Sequence, residues 1–213
     1  MKGEATILTP VSGRFPGCLL LWLVVIDMRV RPRVTRFLEP IGKSLAAIGV
    51  TPTVITFLGL GVVIVGSVLI ANGFPKSGAV VILGGALLDG LDGSVARASG
   101  LVSPRGAFLD SAFDRIGEIA AFAGLGFYRA GQPRELLLIV LAIGGAMLVP
   151  YMRARAEAEG FDGRGGLMGR AERVLLFNLG LIVGLIEPML WAFVVLVWLT
   201  ALVRFINTYR SFE

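Results

Sequence analysis

The sequence predicts an all-α, polytopic membrane protein: six transmembrane helices preceded by an N-terminal amphipathic helix lying in the interface. Three observations carry this. The 213 residues are 55% hydrophobic with a mean hydropathy of +0.82. Several apolar runs approach the roughly 20 residues needed to cross a bilayer. Everything between Thr53 and Arg210 alternates apolar runs with short connectors, leaving little chain for a soluble domain.

Residues 1–31 form an N-terminal extension without an assigned role. Its apolar run from Cys18 to Ile26 is too short to span and is followed by Asp27, Arg29 and Arg31 without a small-residue cleavage site. The membrane domain is placed at residues 32–213. From Pro32 to Val50, Val34, Phe37, Leu38, Ile41, Leu45 and Ile48 alternate with Arg33, Arg36, Lys43 and Ser44, the pattern of the interfacial helix, which Gly49 stops.

Thr51-Pro52 opens the first span, Thr53 to Asn72, and Asn72-Gly73 with Pro75 closes it. The others are expected at Ser77 to Ala98, Gly106 to Tyr128, Glu135 to Glu159, Ala171 to Ile186 and Pro188 to Tyr209. Of 20 Lys and Arg, only Lys76, Arg129 and Arg134 then fall on one side. The positive-inside rule makes the other side, with both termini and the second-to-third and fourth-to-fifth connectors, cytoplasmic. Glycines at near-helical spacing, such as Gly59, Gly66 and Gly85, allow close backbone approach and signify packing only.

Composition excludes several chemistries. One cysteine, Cys18, forbids an internal disulfide, and the absence of histidine removes His-based zinc sites and Ser-His-Asp or Cys-His catalysis. A net charge of +5 fits cytoplasmic loops facing anionic lipid better than nucleic acid, which is not expected as a partner.

The stretch DGLDGSVARASGLVSPRGAFLDSAFD, Asp89 to Asp114, places four carboxylates between apolar runs. Asp89 and Asp92 are three apart at the end of the second span; Asp110 and Asp114 are four apart at the start of the third. Each pair shares a helix face. The short connector from Ala98 to Arg105 makes the two helices antiparallel neighbours, so four carboxylates can converge. Oxygen ligands without His or Cys suit magnesium, manganese or calcium. Gly90, Gly93 and Gly106 leave room for an anionic ligand. The structural alternative is an ion-pair network in which Arg97, Arg105 and Arg115 neutralise the acids. A cation-coupled carrier is the alternative from another class; against it, all four acids lie at the cytoplasmic end rather than the midplane.

The eight positions Asp89, Asp92, Gly93, Ala96, Arg97, Gly106, Asp110 and Asp114 fill the pattern D-x-x-D-G-x-x-A-R-x8-G-x-x-x-D-x-x-x-D, and the chain from about Pro52 onward resembles the CDP-alcohol phosphotransferase family. The resemblance implies a multi-pass enzyme of the cell membrane, its active site facing the cytoplasm, that joins the phosphatidyl group of a CDP-linked lipid to an alcohol and releases CMP. It implies that Asp89, Asp92, Asp110 and Asp114 hold Mg2+ or Mn2+, that Asp92, Gly93, Ala96, Arg97 and Gly106 shape the nucleotide pocket, and that Asp114 is the catalytic general base. It also implies a homodimer.

The second charged region runs from Arg153 through Arg155, Glu157, Glu159, Arg164 and Arg170 to Glu172 and Arg173. Guanidinium groups grip phosphate with paired donors, so this excess fits a phosphorylated acceptor; positive-inside topology explains it equally well. The run YMRARAEAEGFDGRGGLMGRAERVL resembles the matching segment of phosphatidylinositol-phosphate synthases of actinobacterial and archaeal type. That resemblance implies inositol 1-phosphate as acceptor, its phosphate bound by Arg153, Arg173 and Arg204. Glycerol 3-phosphate is the alternative acceptor, although the G-K-x-K-T run usual in enzymes using it is absent.

Overall fold

A computed structural model describes residues 38–163 and 165–212. The assigned N-terminal extension, 1–31, and the start of the expected interfacial helix lie outside the described residues. Every regular element among those described is an α-helix: α1 (38–47), α2 (Pro52–Ala71), α3 (Pro75–Ser99), α4 (Pro104–Tyr128), α5 (Pro133–Ala158), α6 (Arg170–Val183) and α7 (Ile186–Arg210).

Local sequence sets these boundaries. Proline stands at the start of α2, α3, α4 and α5, where its missing N–H would have no intrahelical partner. Ser103 caps α4 by accepting the Gly106 N–H at 3.1 Å. Gly100 and Gly184 end α3 and α6 in the left-handed conformation, with φ of 70° and 86°.

Four helices, α2, α3, α5 and α7, are long and apolar enough to cross a membrane. The other two expected spans differ. α4 has the length, 25 residues, but carries Arg105, Asp110, Asp114, Arg115 and Glu118. α6 has 14 residues, about 21 Å of helix at 1.5 Å per residue. The last expected span, α7, begins at Ile186 rather than Pro188, because Pro188 sits in the first turn, where no backbone donor is lost.

α2 is the hub of one half, packing against both α3 and α4. α3 and α4, expected as direct neighbours, touch each other far less than either touches α2. Small residues explain the close seams: a Cβ on Gly66 would lie 2.8 Å from the Gly78 carbonyl oxygen, and one on Gly124 would meet the Ser67 carbonyl carbon at 3.0 Å. α5 packs on α7, and α6 joins the halves through α3 and α7. Phe122 of α4 meets Phe177 of α6 and Phe193 of α7 edge-on, with centroids 4.8 and 5.0 Å apart.

The described part of α1 lies across the end of α3. Gly42 abuts Ser94, Leu38 is buried, and Ile41 and Ile48 are exposed. At the opposite end of the bundle, Arg129 donates Nε to Glu135 at 2.6 Å and pairs with it a second time through Nη2. That pair closes the short α4–α5 connector.

Candidate active site

The end of α3, the start of α4 and the start of α6 surround one acidic centre. Asp89, Asp92 and Asp110 each offer a carboxylate oxygen, and these oxygens all lie within 4.8 Å of one another. A hard cation holds oxygens at roughly 2.0–2.6 Å, so ligands on opposite sides of it are about 4–5 Å apart. The group therefore fits one divalent cation. Asp92 is buried, and its Oδ2 accepts a hydrogen bond from Thr56 Oγ1 of α2 at 2.8 Å. α2 thus orients this acid as well as spacing the two helices.

Asp114 lies beside the group but not within it. Its Oδ1 pairs with Arg170 Nη2, and its Oδ2 is 3.6 Å from Arg115 Nη2. Arg170 also donates Nη1 to Asp89 Oδ2 at 2.6 Å, so one guanidinium from α6 ties the acids of α3 and α4 together. The pairs continue: Arg115 Nη1 reaches Glu118 Oε2 at 3.1 Å, and Arg173 donates Nε to Glu118 Oε1 at 2.6 Å and Nη2 to Oε2 at 3.2 Å. Charges alternate from Asp89 through Arg170, Asp114, Arg115 and Glu118 to Arg173. Five carboxylates, Asp92 and Asp110 included, face three guanidinium groups, an excess of two negative charges, which one divalent cation would balance.

Beneath this network is a cavity of about 70 Å³. Asp89, Asp114, Glu118, Arg170 and Arg173 line its polar side, and Phe122, Phe177 and Phe193 its apolar floor.

The remaining expected site residues fall into two places. Gly93 lies under Arg97, whose Nη1 would be 3.4 Å from an added Cβ, and Arg97 Nη2 donates to Ser94 Oγ at 3.3 Å. Ala96 is half-buried on the same helix, and Gly106 is exposed on the first turn of α4. Leu38 of α1 occupies the space beside Gly90. Of the three arginines expected around an acceptor phosphate, Arg173 lines the cavity and is 3% exposed. Arg153 is exposed and donates to Glu157 at 2.8 Å. Arg204 donates Nε to the Gly165 carbonyl and Nη1 to the Val149 carbonyl, both at 2.8 Å, while Arg153 and Arg173 lie within its electrostatic reach.

Thr56, Glu118 and Arg170 join the site without belonging to the acidic pattern or to the arginines expected around an acceptor phosphate. Arg170 stands among the charges of the α5–α6 connector, but nothing local shows that it reaches back 81 residues to Asp89. Thr56 resembles any hydroxyl within reach of the carbonyl four residues earlier, here that of Pro52 at 3.0 Å, and its single proton is shared between that carbonyl and Asp92. Glu118 lies one turn beyond the last acid of the pattern.

The sequence model of CDP-alcohol phosphatidyltransferase matches residues 49–206, and the chain belongs to this family. It is 31% identical over 186 residues to an archaetidylinositol phosphate synthase of Pyrococcus horikoshii, covering 87% of this chain and 97% of that one. It is also 31% identical over 187 residues to a phosphatidylinositol phosphate synthase of Mycolicibacterium smegmatis, covering 83% and 82%. The fold matches crystal structures of Mycobacterium tuberculosis phosphatidylinositol phosphate synthase at 30% identity. The structure with CDP-DAG bound has a TM-score of 0.76, covering 82% of this chain and 94% of that one. The complex with manganese and citrate has 0.77, covering 81% and 88%.

Proposed function

We propose that the protein transfers the phosphatidyl group of a CDP-linked lipid, CDP-diacylglycerol or its ether analogue, to inositol 1-phosphate and releases CMP. The observation that carries this reading is the convergence of Asp89, Asp92 and Asp110 beside Asp114 and the Arg170–Arg173 turn of α6. The relatives' names support the choice of acceptor.

In this reading Asp89, Asp92 and Asp110, with Asp114 adjacent, hold Mg2+ or Mn2+. When bound, the cation neutralises charge on the diphosphate and on the departing CMP as a Lewis acid. Thr56 keeps Asp92 turned toward the site. Gly93, Ala96, Arg97 and Gly106, together with Asp92, receive the nucleotide at the open end of α3 and α4. Arg173 grips the acceptor's phosphate from the cavity wall, with Arg153 and Arg204 nearby. Arg204 also ties the α5–α6 connector to α5 and α7. Asp114 accepts the proton of the acceptor hydroxyl as that oxygen attacks the lipid-side phosphorus. The bond from that phosphorus to the CMP oxygen breaks, and CMP leaves with the electron pair. Proximity at the cavity edge compensates for the weak basicity of a carboxylate.

The same reading covers the setting. Residues 32–213 form the membrane domain, with an interfacial helix before six spans in the cell membrane; α4 and the shorter α6 lie within the bundle, where Asp114, Glu118 and Arg173 meet protein rather than lipid. The site faces the cytoplasm, which the distribution of Lys and Arg supports. The homodimer rests on the family resemblance alone.

The test is CMP release by the purified protein from CDP-diacylglycerol and a panel of acceptors with divalent metal. Release with inositol 1-phosphate is expected. Release with glycerol 3-phosphate alone would replace the acceptor, and no release with any acceptor would overturn the enzyme reading.

A further inference from the structure

Arg173 is a buried cation whose orientation another residue fixes. Its Nε and Nη2 both donate to Glu118, a side-on pairing that uses one edge of the guanidinium. Among the described residues no further hydrogen bond to Arg173 is found, so the end-on pair of Nη1 and Nη2 keeps donors free. Glu118 is in turn held from the other side by Arg115 Nη1 at 3.1 Å and is only 13% exposed. Its carboxylate cannot swing without breaking both pairs. Arg173 and Glu118 line the same cavity as Asp114.

We infer that Glu118 is a positioning residue for the acceptor: it holds the guanidinium plane of Arg173 so that the free end takes the acceptor's phosphate monoester while Asp114 faces its hydroxyl. The inference rests on the proposed transferase reading and deepens it. An arginine alone at this place would be a long side chain in a mostly apolar cavity, free to turn toward Asp114 or Asp89. The carboxylate of Glu118 gives it one orientation and supplies the counter-charge that its burial requires. The chain of pairs also puts Arg115 between Glu118 and Asp114, so phosphate seat and proton acceptor are held at a fixed separation by one turn of α4.

The experiment measures CMP release by full-length Glu118→Gln with inositol 1-phosphate and CDP-diacylglycerol varied in turn. Gln keeps the size but loses the charge and offers only one acceptor oxygen to the two Arg173 donors. The acceptor KM is expected to rise about tenfold, with the KM for CDP-diacylglycerol changed by less than about twofold. Glu118→Asp keeps the charge with a shorter reach and is expected to fall between the two. Equal rises in both KM values, or a fall in kcat with an unchanged acceptor KM, would show a purely structural role and overturn the inference. Should Glu118→Gln not fold, Glu118→Asp decides by the same comparison: a selective rise in acceptor KM supports the inference, and none overturns it. If the wild-type protein uses glycerol 3-phosphate instead, the comparison is made with that phosphate monoester. No CMP from the wild type with any acceptor overturns the transferase reading, and this inference with it.

Discussion

Replacing Arg170 with Gln tests whether the network around the acids competes with the cation it would hold. Arg170 bonds Asp89 Oδ2 at 2.6 Å and pairs with Asp114 Oδ1, so it occupies one of the three carboxylates offered to a metal. Its loss raises the excess negative charge from two to three. A guanidinium about 6 Å from a divalent ion repels it by about 5.5 kcal/mol at an effective dielectric of about 20. Arg170 is 41% exposed and can swing toward water, so most of that is relieved in the metal-bound protein. About 1.4 kcal/mol is expected to remain, a roughly tenfold tighter Mn2+ affinity for Arg170→Gln. Free Mn2+ followed by electron paramagnetic resonance during titration of the purified protein measures this without any turnover. Thermal unfolding provides a second reading: the variant without metal should melt below wild type, and saturating Mn2+ should raise its Tm by more. Unchanged or weaker Mn2+ binding would refute the argument, because Arg170 would then be orienting Asp89 for the cation rather than competing for it.

Other substitutions separate the parts of the site. Asp92→Asn keeps an oxygen that can accept from Thr56 but loses the charge; CMP release should fall below detection while the far-ultraviolet circular dichroism stays that of wild type, and residual activity near wild type would count against the metal site. Arg173→Ala should raise the acceptor KM more than the KM for the CDP-lipid in steady-state assays; equal effects would indicate general damage. Gly124→Ala, far from the chemistry, places a Cβ against the Ser67 carbonyl across the α2–α4 seam. Overpacking of up to about 3 kcal/mol, less about 1 kcal/mol gained in helix propensity, leaves about 2 kcal/mol of destabilisation. A Tm lowered by about 4–8 °C is expected, and an unchanged Tm would show that the seam can open.

What could be read from the sequence follows the range of the interactions involved. Helix starts at Pro52, Pro75, Pro104 and Pro133 and ends at Gly100 and Gly184 depend on backbone chemistry within a few residues, so the expected spans come close to them, starting at Thr53, Ser77, Gly106 and Glu135, although the fifth expected span runs past Gly184 to Ile186. The acids could also be read, because spacings of three and four within a helix put side chains on one face whatever the helix packs against. The relation between helices could not. Short connection suggested that α3 and α4 lie side by side, yet small residues at Gly59, Gly66 and Gly85 let α2 come closest to α3, and Ser67 meets Gly124 on α4. The acids converge across α2, with Thr56 bonded to Asp92.

The same limit explains Asp114. Within α3 and α4 alone it is the fourth member of an acidic set, equivalent by spacing to Asp110. The structure distinguishes the two through α6, whose register against α3 sets Arg170 between Asp89 and Asp114 while Asp110 stays with the other two acids. Glycines flank this point on the connector, and Thr200 of α7 fixes it there, its hydroxyl accepting the Leu167 and Met168 N–H groups at 3.3 and 3.0 Å. Arg204 holds Gly165 from one turn further along α7. The last helix therefore anchors the connector that leads to Arg170, the residue that pairs with Asp89 on α3 and Asp114 on α4. That anchor lies more than 80 residues along the chain from Asp114 and Asp110, a dependence that spacing along one helix cannot express.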